Sequence, residues 1–185
     1  MLLNKENRQR LLDLAKNSIV HGLQKGRPLK VNLDDYPAEL TELRATFVTL
    51  EISGQLRGCI GMLEAVRPLA EDIAENAFSA AFNDPRFPPL DASELGGLEI
   101  HLSILTPAEP VSFSSEQDLV SQLQPGIDGL ILQEGHRRGT FLPSVWESLP
   151  EPRQFLRHLK QKAGLPPDYW SNTIRIYRYH AEVID

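Results

Sequence analysis

Near its middle the chain reads Asn83-Asp84-Pro85-Arg86-Phe87-Pro88-Pro89-Leu90, and this block limits what can surround it. Each proline lacks an N–H and pushes the residue before it towards extended backbone, so no helix runs through the segment. A helix arriving from the N-terminal side has to stop near Asn83, and the block itself is a rigid, irregular loop. The pattern upstream agrees: Pro68 suits a first helical turn, and Leu69, Ile73, Ala74, Ala77, Phe78 and Ala81 recur as one apolar stripe. Downstream, Leu98-Glu99-Ile100-His101-Leu102-Ser103-Ile104 alternates strictly. That predicts a strand with Glu99, His101 and Ser103 on one face, closed by Pro107.

The same signals organise the rest of the chain. Leu11, Leu12, Ala15, Ile19 and Val20 predict an amphipathic helix from Lys5 to Gly22, stopped by Gly22 with Gly26. Ala45 to Ile52 is rich in β-formers, Ser53-Gly54-Gln55 reads as a hairpin turn, and Leu56 to Leu63 returns. Alternation along that return puts Arg57 and Cys59 on one face and Leu56, Gly58 and Ile60 on the other. Ser115 with Asp118 opens a short helix through Leu123, and a hairpin turns at Glu134-Gly135-His136 between Leu130-Ile131-Leu132 and Thr140-Phe141-Leu142. Pro143 and Pro152 start helical pieces, the second ending near Gly164, and a last strand spans Thr173 to Ile184. Hairpins interspersed with helices, without a βαβ rhythm, predict an α+β fold of mainly antiparallel sheet flanked by helices.

Composition narrows the function classes. A chain of 185 residues, 41% hydrophobic and 24% charged, is long enough for one good core or two small lobes. Its formal net charge of −6 opposes phosphate backbones, so nucleic-acid binding is the least expected class. The first residues are soon charged and lack the apolar stretch of roughly 7 to 15 residues that export signals carry. No long apolar run follows, so the expected address is the cytoplasm, with no membrane partner. The single cysteine excludes an internal disulfide and a paired-cysteine zinc clip.

The run Leu56-Arg57-Gly58-Cys59-Ile60-Gly61 (LRGCIG) and the block Phe82 to Leu90 resemble the AMME syndrome candidate-gene (AMMECR) domain family. So do Glu99 to Pro107, Gly126-Ile127-Asp128-Gly129-Leu130, Gly139-Thr140-Phe141-Leu142-Pro143 and Lys162-Ala163-Gly164-Leu165, in the same order. The arrangement is similar to the prokaryotic AmmeMemoRadiSam system protein A type, named for its association with a Memo-like protein and a radical S-adenosylmethionine protein. The resemblance implies one AMMECR-type domain over residues 1–185, with two closely packed subdomains and the termini together in the larger. It also implies a cleft near the cysteine segment and those two proteins as partners. It brings neither an agreed activity nor a cofactor, and His101 stands where the family strand more readily carries an acidic residue.

Cys59 is the only thiol, and Gly58 and Gly61 beside it let a ligand or partner approach the backbone closely. The bland alternative is a small apolar filler. Arg57 on the same face is a candidate to activate the thiol or hold an anion, or else a solvated strand arginine. Cys59 with His101 would make a nucleophile and base if their strands were adjacent. Asn83, Asp84 and Arg86 are candidates to line a pocket on the proline-stiffened loop, the alternatives being a helix cap at Asn83 and a core plug at Phe87. The histidines at 21, 101, 136, 158 and 180 show no paired ligand spacing, so no metal site is expected. Gly58-Cys59-Ile60-Gly61 has the spacing of an RNA-clamping GxxG loop, a weak signal that the acidic balance opposes. The expected function is therefore action beside Memo-like and radical S-adenosylmethionine proteins through a Cys59-centred cleft that binds a small molecule or a partner segment. The alternative is a non-catalytic adaptor, and whether the chain is an enzyme stays open.

Overall fold

The computed structural model describes residues 2–185 and divides them into two compact units. One comprises the chain up to Leu105 with Glu182–Asp185, the other Thr106–Ala181. Helices and antiparallel strand pairs contribute together, so the fold is α+β.

In the first unit, α1 (Lys5–Lys25) begins where the Asn4 side chain accepts the Asn7 N–H. It ends at Gly26, whose φ of +66° suits glycine. Gly22, read from sequence as part of the stop, lies inside the helix, where a Cβ would meet the Phe78 and Phe82 rings. Its smallness serves packing, and Gly26 does the stopping. After α2 (Ala38–Thr41), β1 (Thr46–Ile52) and β2 (Gln55–Gly61) form a hairpin. Its turn residues Ser53 and Gly54 both have positive φ, as a tight two-residue turn matching strand twist requires. Pro68, expected in the first turn, stands just before α3 (Leu69–Phe82) and makes no side-chain cap. β3 (Leu98–Leu105) joins β1 on its other side, and the sheet order is β2-β1-β3-β8, with β8 at Ala181–Ile184. Val48, Leu50 and Leu102 are fully buried with Leu11, Ile19, Ile73 and Ala77 of the two long helices. Each such large aliphatic side chain contributes about 1.5 to 3 kcal/mol on burial.

The second unit carries β4 (Glu109–Pro110), α4 (Glu116–Gln122), β5 (Gly129–Glu134), β6 (Arg137–Phe141), α5 (Pro152–Lys162) and β7 (Arg175–Tyr179). Its sheet runs β4-β7-β5-β6. Ser115 accepts the Asp118 N–H and so caps α4, as its spacing predicts. The core gathers Leu130, Leu132, Leu156, Leu159 and Ile176 around Phe155, which stacks on Trp146 with ring centroids 3.7 Å apart. The indole N–H of Trp146 is satisfied by the Asp128 carbonyl.

One element departs from the sequence reading in kind. The single strand expected from Thr173 to Ile184 is two strands in different sheets: β7 pairs with β5, and β8 lies beside β3. His180 separates them, its N–H donating to Thr106 Oγ1 and its carbonyl accepting the Thr106 N–H. Alternation does not register that change of sheet, because both halves carry period-two patterns. Among the described residues, no helix is long and apolar enough to cross a membrane.

Candidate functional site

The register of β1 decides which side chains meet on the sheet face turned away from α1 and α3. Thr49 lies opposite Cys59 on β2 and opposite His101 on β3, while Glu51 lies opposite Leu56 and Glu99, and Phe47 opposite Gly61 and Ser103. Residues directly opposite share a face, so three rows cross the three strands. Between the pairs Leu50–Gly58 and Glu51–Leu56 the register slips, leaving Arg57 as the extra residue of a β-bulge. The bulge corrects the simple alternation. Leu56 joins Cys59 on the outer face and is 43% exposed, whereas Gly58 faces the helices.

The half-buried Cys59 has its Sγ 3.2 Å from the Thr49 hydroxyl. Its N–H donates to Asp84 Oδ2 at 2.9 Å, and its carbonyl accepts from Arg86 Nη2 at 3.3 Å. Both backbone groups therefore point away from β1, which makes Cys59–Thr49 the close, non-hydrogen-bonded kind of antiparallel pair. That geometry accounts for the short side-chain contact. His101 sits on the far side of β1, so the expected cysteine–histidine pair does not form: two strand spacings amount to roughly 10 Å.

Asp84, expected on a pocket wall, is a brace. Its side chain is 2% exposed and, besides Cys59, accepts the Arg86 N–H, the Arg86 Nε–H at 3.0 Å and Nη2–H at 2.7 Å. The Arg86 guanidinium, helped by the backbone N–H groups of Cys59 and Arg86, holds this carboxyl well below the usual carboxylate range despite burial. Pairing with Asp84 in turn raises the pKa of Arg86, whose side chain is 54% exposed. Asn83 closes α3 with its N–H to the Ser79 carbonyl, in line with the capping alternative. Phe87 is half-buried under two guanidinium groups, Arg57 at 5.9 Å and Arg86 at 5.6 Å from its ring centroid.

Arg57 is not a solvated strand arginine: most of its guanidinium is engaged inside the protein, and only Nη1 is without a hydrogen-bond partner among the described residues. Its Nε and Nη2 grip Glu94 at 2.7 and 3.0 Å, Nη2 also donates to the Pro88 carbonyl, and the side chain is 12% exposed. The hydrogen bonds to Glu94 raise the pKa of Arg57, and those from Arg57 lower that of Glu94. The two glycines also have structural reasons. A Cβ on Gly58 would strike the Ala80 carbonyl of α3, and one on Gly61 would strike the Thr46 carbonyl and the Phe47 ring. The close approach that glycine permits at these two positions is to a helix and to a strand.

On β3, His101 Nδ1 lies 2.7 Å from Asp185 Oδ1, and Nε2 lies 3.7 Å from Glu51 Oε2. Ligand atoms of Glu51, Glu99 and His101 all fall within 4.8 Å of one another. Sequence reasoning passed over Thr49, Glu51, Glu94 and Asp185. Thr49 and Glu51 carried a usable signal as alternate residues of β1, and Asp91-x-x-Glu94 is a capping-box spacing that the structure fills. Asp185 gave none.

Comparison with known proteins points one way. The AMMECR1 family profile matches residues 12–184. A Methanothermobacter thermautotrophicus protein is 39% identical over 98% of this chain and 95% of its own length. One from Methanopyrus kandleri is 38% identical over 99% and 90%. The crystal structure of the uncharacterised protein PH0010 from Pyrococcus horikoshii superposes with a TM-score of 0.90 at 34% identity, covering 98% of this chain and 92% of that one.

Proposed function

The chain belongs to the AMMECR1 family, and on that premise we propose that it is a partner-binding protein acting beside Memo-like and radical S-adenosylmethionine proteins. The outer face around Cys59 receives a segment of the Memo-like partner. One observation supports this reading: Asp84 and Arg86 clamp both backbone groups of Cys59, while Leu56 beside it is an apolar side chain 43% exposed. A face held rigid before contact loses little conformational entropy on binding, and an apolar side chain at its centre supplies the anchor. Thiol catalysis has less support, because the neighbour of the sulfur is the Thr49 hydroxyl rather than a base. Small-anion capture by Arg57 is disfavoured by its two-pronged pairing with Glu94.

The test uses the full chain with a purified Memo-like protein of the same organism. Leu56→Asp and Arg86→Ala each weaken binding by about tenfold or more, the loss of one anchor's worth of contact. Turnover of the reconstituted three-protein system falls in proportion to occupancy. Unchanged binding in both variants overturns the proposal. A Cys59→Ser chain that abolishes turnover at full occupancy overturns it in favour of thiol chemistry.

A further inference from the structure

On the same outer face, but on separate observations, we propose that Glu51, Glu99 and His101 bind a divalent first-row transition-metal ion of the zinc type. The register places Glu51 directly opposite Glu99, with His101 two residues along β3 on the same face. One imidazole and two carboxylates therefore converge, their ligand atoms within 4.8 Å of one another.

Three features distinguish this group from an ordinary acidic surface. First, the two ends of the imidazole are treated differently. Nδ1 is held by the Asp185 carboxylate at 2.7 Å, whereas Nε2 is enclosed and has no hydrogen-bond partner among the described residues. A carboxylate behind one ring nitrogen fixes the proton on that side and presents the lone pair of the other, the arrangement that accompanies metal-bound histidine. Second, that bare nitrogen faces Glu51 at 3.7 Å, too far for a hydrogen bond and close enough for both to share a cation at ordinary bond lengths of about 2.0 to 2.2 Å. Third, Glu51 and Glu99 are like charges directly across a strand pair, and among the described residues neither forms an ion pair with a lysine or arginine. Such a pair repels. A cation between them converts the repulsion into binding.

The donor set selects the ion. An imidazole favours zinc and its neighbours over magnesium or calcium, and the absence of sulfur from the three donors removes the preference for soft monovalent copper. Glu51 is partly exposed and Glu99 exposed, so both carboxylates can rotate the short distance needed to close on an ion. Three protein donors leave coordination positions for water or a ligand.

Zinc titration of the chelator-stripped full chain, followed by calorimetry and by thermal melting, tests the site. The expected result is one Zn2+ per chain with a raised melting temperature and no competition from Mg2+. His101→Ala and Glu99→Gln each weaken binding by at least about tenfold, and Asp185→Asn does so by about tenfold while removing no direct ligand. Glu99 is exposed, so its variant keeps the comparison valid should His101→Ala fold poorly. His180→Ala removes the other histidine–carboxylate pair, with Asp128, and leaves zinc binding unchanged. Co2+ in the same site gives visible absorption without a thiolate charge-transfer band. No saturable binding, binding that survives both His101→Ala and Glu99→Gln, or a thiolate band each overturns the assignment.

Discussion

At the scale of residues, Asp84 does the most to hold the backbone of the site in place. It is almost fully enclosed and satisfies four donors, two of them backbone N–H groups. Asp84→Asn keeps the shape and removes the charge, and we expect it to destabilise the chain by about 1 to 3 kcal/mol, the cost of leaving enclosed donors poorly paired, since the Arg86 charge left behind is half in water. Acid acts on the same group. Its carboxyl titrates lower in the folded chain than in the unfolded chain, so the folded state binds fewer protons. The contribution is complete above the unfolded value of about 3.9 and fades as pH falls below it. Urea midpoints measured against pH check this: the gap between wild type and Asp84→Asn should be widest near neutrality and narrow below about pH 4. A gap that stays constant with pH would contradict it. The sequence pointed to Asp84 and Arg86 through the proline-bound loop they sit in. It did not show that they face inward to the backbone of Cys59, because that contact spans 25 positions of chain.

At the scale of elements, β2 and α3 approach so closely that one hydrogen atom's worth of side chain is all that fits. Gly58→Ala sets a methyl group against the Ala80 carbonyl, which is helix backbone and cannot rotate aside. A loss of about 1 to 3 kcal/mol is expected, read as a lower denaturation midpoint with an unchanged slope. A variant as stable as the parent would show that β2 and α3 can separate. Alternation made β1, β2 and β3 legible, since period two is a property of each strand alone. The bulge at Arg57 and the meeting of Glu51 with Glu99 were not legible, because they depend on register between strands, which turns and partners set. His101 illustrates the gap. Its strand face was readable, but the neighbours on that face come from β1 and the C-terminal segment.

At the scale of the whole molecule, each unit has its own buried cluster, one around Val48, Leu50 and Leu102 and one around Phe155 and Trp146. Hydrogen exchange should therefore show two sets of strongly protected amides, in β1 and β3 and in β5 and β7, since protection follows buried, paired strands. Protection confined to one unit would argue that the other lacks a core of its own. The hairpin-rich pattern foretold the α+β class correctly, and the blocks spread along the chain foretold the family, because both are distributed features that survive local errors. The chemistry of the outer face is the reverse case, resting on a few contacts that composition does not register. The clamp on Cys59 also covers a sheet margin. β2 is the border strand of its sheet, and an unfilled border is a template onto which another copy of the chain can zip. With a carboxylate seated on the outward N–H and a guanidinium on the outward carbonyl, the protein carries its own stopper at that margin. Loosening it would expose the margin to runaway stacking into fibres.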